Sequence, residues 1–585
     1  MNIRVRHLPF ARLFADFTRL VTASPATIKQ DLLAGITVSL VAIPQSLAYA
    51  QLAGVPAYYG LYAALIPTII GALFGSSRQL STGPVAMTSL LTAASVAPFA
   101  AHGSEMFYAY VILLALLSGL FQVLFGALRM GVLLNFLSHP VLMGFINAAA
   151  IIIGLSQLPT LLGISAAQSD HFLVDIWHVF THLDTMHGIS VAFGLSAIIL
   201  LLFFKKILPK LPGVLITVVL LTVISYLIGY AEMGGRVVGV VPRGVPDISL
   251  PLLDWHATVM LLPAAFVISL ISFMEAMSSA KVIAIKTRQP WDENKELIGQ
   301  GLAKIAAAFS HSMPVSGSFS RSALNLATNA QTGFSSVVSA IFVLLTLIFF
   351  TPLLFHLPKP VLAAVIIMAV IGLINFVALS KAWRASRDDG FAAVATFVTT
   401  LVFAPNIQNG IITGILLSLA LLLYRMMQPR VAVLGRHHDG TLRDAQRHNL
   451  APLHPKLGAI RFDGALRFVN VSYFEDALLT LERENPSVRY ILVKCDGINY
   501  LDASGVEMLS SLISRFKSNG IALGFSGIKK QVQEVIDRTG LDKSIGPDNI
   551  FATDQEAFDT LHARGVINTK IELATMQQPT QLLPD

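Results

Sequence analysis

Apolar runs crowd residues 31–428, each separated from the next by a few polar or turn-forming residues, and each close to the roughly 20 residues that carry a helix across a bilayer. This pattern predicts a polytopic α-helical membrane protein with fourteen transmembrane segments, centred near residues 40, 66, 90, 117, 150, 196, 221, 268, 304, 325, 345, 368, 398 and 418. About 28 residues fall to each, enough for a helix rising about 1.5 Å per residue and a short loop. After Pro429 the unbroken hydrophobicity ends. GAIRFD (458–463), RYILVKC (489–495) and GIALGFS (520–526) read as strands followed by helical patterns such as 504–517, which predicts a small α/β domain.

The expected boundaries are a leader at 1–30, a transmembrane region at 31–428 with repeat one at 31–231 and repeat two at 256–428, a polar linker at 429–455, the α/β domain at 456–565 and a flexible tail at 566–585. With the N-terminus in the cytoplasm and sides alternating, nineteen Lys and Arg residues fall inside and three (Arg236, Arg243 and Lys359) outside. Both termini and the α/β domain are therefore expected in the cytoplasm, and the net charge of +7 reads as an orientation signal rather than a nucleic-acid surface. No apolar core precedes the first span, so residues 1–30 read as a leader, with a surface helix at Phe10 to Leu20, and not as a cleaved signal. A chain that is 54% hydrophobic and 13% charged is excluded from the ordinary soluble enzymes. Its single cysteine, Cys495, rules out a disulfide framework or a zinc-type Cys cluster.

The hydrophobic pattern breaks at matching places in the two halves. Leu80-Ser81-Thr82-Gly83-Pro84 opens the third segment and Pro314-Val315-Ser316-Gly317-Ser318 the tenth, with Gly83 and Gly317 234 positions apart. The first span is expected to break at Ile43-Pro44-Gln45, and the eighth carries an intramembrane carboxylate at Met274-Glu275-Ala276. Seven is an odd number of spans, so halves that share a fold must be inverted in the membrane. Short Gly/Pro-interrupted segments at corresponding places point to a transporter's binding site near the midplane. A half-helix starting inside the bilayer offers unpaired N–H groups carrying roughly half a positive charge, so two of them facing each other make an anion site.

Among the ionisable residues within the spans three stand out: Glu275, Lys304 and Arg321. Arg321 lies in the first turn of the tenth half-helix, where a cation opposes the helix dipole and calls for an anion. A transported dianion and a proton on Glu275 would favour each other's binding; a permanent Glu275–Arg321 ion pair is the structural alternative. In the external loop, Asp175, His178 and His182 would share a helical face near His171 and His187. With Phe172 and Trp177 beside them they read as an interfacial helix rather than a metal site.

Pro44-Gln45-Ser46-Leu47-Ala48-Tyr49-Ala50, Gly60-Leu61-Tyr62, Gly83-Pro84-Val85-Ala86, Glu275-Ala276, Glu296-Leu297-Ile298 and Gly317-Ser318-Phe319-Ser320-Arg321-Ser322-Ala323-Leu324-Asn325 resemble the signatures of the SulP anion transporters, relatives of animal solute carrier family 26. The resemblance covers about residues 28–565 and includes a C-terminal domain similar to a STAS domain. It implies a 7+7 inverted repeat divided into a core domain (spans 1–4 and 8–11) and a gate domain (spans 5–7 and 12–14). The anion would be lined by Gln45, Tyr49, Val85, Ala86, Phe319, Ser320 and Arg321. Glu275 falls at a cation-coupling position, a sodium site in some members and a proton site in others, and Lys304 departs from a frequent asparagine. Lys304 would either snorkel to the cytoplasmic side or alter the field around Glu275. In the STAS-like domain, Ser504 holds a position that carries a phosphorylated serine in bacterial anti-sigma antagonists, although Asp502 and Ser504 also read as plain helix-capping residues.

The implied function is secondary active transport of a small inorganic oxyanion, sulfate, by proton symport with an elevator motion of core against gate. Sodium-coupled bicarbonate, proton-coupled dicarboxylate, and uncoupled exchange or channel activity are the alternatives. The expected partners are the anion, a coupling proton or sodium, the lipid bilayer, a second copy in a homodimer and a cytoplasmic protein on the STAS domain, without nucleic acid. The expected location is the plasma (bacterial inner) membrane. No enzyme activity, cofactor or metal is expected.

Overall fold

The computed structural model describes residues 24–131, 138–164, 172–209, 211–568, 571 and 573. Most of the leader, including Phe10 to Leu20, as well as His171 and most of the tail lie outside these residues. The chain divides into two compact units, Met1–Ser418 and Leu419–Asp585.

In the first unit, α1 (Pro25–Leu52) opens with Pro25 in its first turn and the Ser24 side chain accepting the Thr27 N–H at 3.2 Å. It therefore begins six residues before the apolar run, inside the expected leader. It also continues through Pro44, so the predicted break at Ile43-Pro44-Gln45 does not occur. Proline removes only one helical bond, to the Leu40 carbonyl, and packing on both sides carries the helix across it. The second span is two pieces, α2 (Ala57–Ala63) and α3 (Ile66–Phe74). Gly60 on α2 is pressed against α1: a Cβ there would come 1.9 Å from the Ser46 carbonyl oxygen, which accounts for glycine in Gly60-Leu61-Tyr62.

The chain continues through β1 (Ser81–Gly83), α4 (Ala86–Val96), α5 (Glu105–Ala127), α6 (His139–Ser156), α7 (Leu158–Leu162), α8 (Phe172–Thr181), α9 (Gly188–Ile207) and α10 (Gly213–Leu227). The second half comprises α11 (Trp255–Thr287), α12 (Glu293–Phe309), β2 (Ser316–Ser318), α13 (Phe319–Ala327), α14 (Phe334–Phe349), α15 (Thr351–Phe355), α16 (Lys359–Ile371), α17 (Phe376–Ala385), α18 (Arg387–Val402) and α19 (Gln408–Met427). Every expected span centre falls inside one of these helices. Among the described residues, eight helical stretches are long and apolar enough to cross a membrane, while Ala86–Val96, Gly213–Leu227 and Phe334–Phe349 are apolar but shorter.

The halves interleave. α12 packs on α3 and α5, α11 on α5 and α14 on α1; α18 packs on α6 and α16 on α9, with α16 also meeting α1. The first set follows the expected core and the second the expected gate. Buried carboxylates clamp the core across the repeats. Glu296 of α12 accepts the Ser76 and Ser77 N–H groups at 2.9 and 2.8 Å, and Asp31 of α1 accepts the Gln331 and Thr332 N–H groups at 2.6 and 3.2 Å. Each satisfies backbone donors that have no helical partner, which burial would otherwise make costly.

The second unit contains a six-stranded sheet in the order β4-β3-β5-β6-β7-β8. Its strands are β3 (Arg430–Arg436), β4 (Leu442–Asp444), β5 (Leu457–Asp463), β6 (Tyr490–Lys494), β7 (Ala522–Ser526) and β8 (Ile550–Phe551). β5 to β8 are parallel, and β3 joins antiparallel to β4 and β5. The stretch expected as a polar linker at 429–455 thus carries two strands, of which β4 is the sheet edge and β3 lies between β4 and β5. Ile567 and Ile571, placed in the expected flexible tail, are buried against Phe558 and Leu561.

Candidate anion-binding site

The two interrupted segments are hydrogen-bonded to each other. β1 and β2 form an antiparallel pair with Ser81 opposite Ser318, Thr82 opposite Gly317 and Gly83 opposite Ser316. Facing residues of an antiparallel pair are related by a local two-fold axis, the symmetry that inverted halves require. The segment expected as a helix start at Leu80 to Pro84 is therefore strand up to Gly83, and α4 begins at Ala86 with Val85 as an extended N-cap that supplies no side-chain bond. The first-turn N–H groups of α4 thus lack a side-chain cap, the arrangement that favours an anion. α13 follows β2 directly, with Ser318 as its N-cap and the Ser318 hydroxyl 3.4 Å from the Arg321 N–H.

Close approach makes the ladder possible. A Cβ on Gly317 would lie 2.8 Å from Ala276 Cβ and 2.9 Å from Leu80 Cδ1. Gly317→Val is expected to destabilise the protein by about 1–3 kcal/mol through overpacking, read as a lower melting temperature in detergent; an unchanged melting curve would contradict this packing.

Arg321, 2% exposed, reaches from the first turn of α13 across the ladder. Its Nη1 donates to the Pro84 carbonyl at 2.9 Å and lies 3.5 Å from Gln45 Oε1, and its Nε lies 3.4 Å from Ser81 Oγ. Nη2 is buried with no hydrogen-bond partner. Ser322 Oγ accepts the Ser81 N–H at 2.8 Å and Asn325 Nδ2 donates to the Gln79 carbonyl at 3.1 Å, so the signature running from Gly317 to Asn325 fastens α13 to the segment leading into α4.

Gln45, Tyr49, Val85 and Ala86 are all buried. Gln45 and Tyr49 are one turn apart on α1, and Tyr49 is within electrostatic reach of both Arg321 and Glu275. Phe319, 47% exposed, and Ser320 lie on the open side of the α13 start. A cavity of 280 Å³ has Gln45 on one wall, with Phe204 and Lys205 of α9, Gly213 of α10 and Met368 of α16 among the others. Gln45 of α1 thus adjoins a space bounded by α9, α10 and α16.

Glu275 sits on α11 with Oε2 buried and unpartnered. Neither of its oxygens comes within the 4.0 Å of an Arg321 nitrogen that an ion pair requires, so the permanent Glu275–Arg321 pair is absent from this structure. Nor does Lys304 snorkel. It is completely buried, and its Nζ donates to Ser272 Oγ, one turn before Glu275. Four contributors escaped the sequence reading: Ser81, the Pro84 carbonyl, Ser272 and Lys205. The hydroxyls Ser269, Ser272 and Ser279, recurring at helical spacing on the Glu275 side of α11, were the available signal for one of them.

A sulfate permease family model matches residues 28–396 and a STAS domain model matches residues 450–557. The chain belongs to the sulfate permease family. It is 34% identical over 548 residues to a probable sulfate transporter 4.2 of Arabidopsis thaliana, covering 90% of this chain and 80% of that protein. It is 31% identical over 528 residues to a probable sulfate transporter of Mycobacterium tuberculosis, covering 90% and 94%. The murine solute carrier 26 family member A9 anion transporter, solved in an inward-facing state, superposes with a TM-score of 0.87 at 19% identity, over 96% of each chain, and shares the fold. This member of the family is accordingly a multi-pass membrane transporter and not an enzyme.

In the STAS domain of the permease, Asp502 is the N-cap of α22 (Ala503–Ser518), which follows α20 (Ala445–His448) and α21 (Val471–Glu484) in the chain; its Oδ1 accepts the Gly505 N–H at 2.9 Å. Ser504 occupies the second position of α22, half-buried, and the capping bond is made without it. Burial pushes the Cys495 thiol up, as befits an inert core residue. On α8, Phe172 is buried and Trp177 is 68% exposed. Among the described residues, Asp175, His178 and His182 form no group with metal-ligand spacing.

Proposed function

We propose that this protein is a secondary active transporter that carries a small inorganic oxyanion, sulfate, in symport with a proton. The observation that carries the reading is Arg321: a buried guanidinium at the meeting point of two half-helices, with a free donor at Nη2 and no carboxylate paired to it. A tetrahedral dianion suits such a site, accepting from the guanidinium and from the uncapped N–H groups of α4 at once. Glu275 supplies the coupling: a carboxylate near the site repels the dianion, so anion and proton favour each other's binding, and by linkage the effect is reciprocal.

Fourteen crossings, with both termini cytoplasmic in the plasma (bacterial inner) membrane, complete the reading. Core and gate move against each other as an elevator, two copies form a homodimer, and the STAS domain regulates or docks a cytoplasmic partner. Phosphate on Ser504 would be favoured by the N-terminus of α22. The test is uptake of labelled sulfate, bicarbonate and fumarate by proteoliposomes under separate pH and sodium gradients. Accumulation of sulfate driven by an inward proton gradient is expected. Accumulation of another anion instead, or none, would overturn the proposal.

A further inference from the structure

Lys304 is a completely buried side-chain amine that the mechanism above leaves unused. Its Nζ donates to Ser272 Oγ, which also accepts from Gln122 Nε2 at 3.1 Å and sits one turn from Glu275 on the same face of α11. The Ser272 carbonyl in turn accepts from Ser316 Oγ at 2.7 Å, which joins this turn to β2 of the anion site. The charged and titratable groups facing Glu275 are Arg321 from α13, Lys304 from α12 and Tyr49 from α1. A hydroxyl and a carboxylate one turn apart are the oxygen donors that an alkali-metal ion would need, and here the Lys304 amine already holds the hydroxyl. In a low-dielectric interior, a second cation at the same turn would be repelled strongly.

We propose that Lys304 is a tethered counter-cation for Glu275: it supplies from the protein the charge that a co-transported metal ion would bring, so transport by this chain is independent of sodium and potassium. The inference rests on the oxyanion-transport reading and names its driving ion by exclusion. Lys304 acts through Glu275 and is a positioning residue.

The test uses full-length protein in proteoliposomes, with sodium and potassium replaced by N-methylglucamine. Wild-type sulfate uptake is expected to change less than twofold. Lys304→Met keeps the length of the stem and removes the charge, and Lys304→Ala also opens space. Both are expected to lose at least tenfold in N-methylglucamine and to recover several-fold in sodium or methylammonium. Sulfate binding and melting temperature, measured on the same preparations, report folding. Wild-type uptake that requires sodium would overturn the proposal. So would variants that keep full uptake without a metal ion, or folded, anion-binding variants that no cation rescues. If neither variant folds, Lys304→Gln, which stays polar, removes the charge and leaves the Ser272 hydroxyl in place for a metal ion, is expected to acquire stimulation by sodium, and its absence would overturn the proposal. Wild-type vesicles that take up no sulfate would defeat the transport reading itself; uptake found only in sodium would defeat its proton coupling as well as this inference but leave sulfate as the cargo.

Discussion

Replacing Arg321 with glutamine is expected to lower sulfate uptake by about 30-fold to 3,000-fold, because removing one partner of a desolvated charge contact costs roughly 2–5 kcal/mol and each 1.4 kcal/mol is about tenfold. Two contributions combine. The guanidinium brings a positive charge to the β1–β2 ladder, and its Nη2 is the donor left over after Nη1 has bonded the Pro84 carbonyl. Glutamine can still reach a carbonyl but brings neither charge nor fork. Arg321→Lys restores the charge as a single point and should recover only part of the loss, since a bidentate contact needs the planar guanidinium. The measurement is initial uptake rate and sulfate affinity on purified protein whose melting temperature is followed alongside. An Arg321→Gln variant with wild-type affinity would remove Arg321 from the site.

Glu275→Gln is expected to separate exchange from accumulation. Glutamine has the size and charge of a protonated carboxyl, so the variant resembles the proton-loaded state at every pH. Wild-type uptake should rise as the outside is acidified, because the anion binds best when Glu275 is protonated. The variant should show a flat pH profile, retain sulfate counterflow and lose accumulation against a gradient. Folding should survive, since the carboxylate makes no hydrogen bond or ion pair that the substitution would break. A collapsed protein, or an unchanged pH profile in a folded one, would sink the coupling role.

Where the sequence reading erred, the causes are local. Pro44 signalled a break because proline deletes a backbone donor; the helix continues because the loss of one bond among many is tolerated when neighbours pack on both sides. The stretch at 429–455 looked like a linker because its apolar residues are confined to the short run Val431 to Leu434 amid polar neighbours; that run is β3, held between β4 and β5 with Ala432 and Leu434 buried. Ile567 and Ile571 looked like tail because two apolar residues make no periodic pattern, yet two suffice to fill a site beside Phe558. Arg321, Glu275 and Lys304 could be found without a structure, since a charge within an apolar run is conspicuous wherever it sits. Which of them pair could not be found that way.

The linear order of residues by itself determined the membrane class, a helix at each expected span centre, the α/β domain and the two interrupted segments, because each of these follows from short-range periodicity and from the cost of placing polar groups in lipid. Only the tertiary structure decided that the interrupted segments hydrogen-bond to one another, that Arg321 crosses to Pro84 rather than to Glu275, and that Lys304 is fixed on Ser272. Those contacts join residues from about 30 to 240 positions apart. Their geometry depends on ångström-scale fits, such as Gly317 against Ala276, that emerge only when the helices have packed.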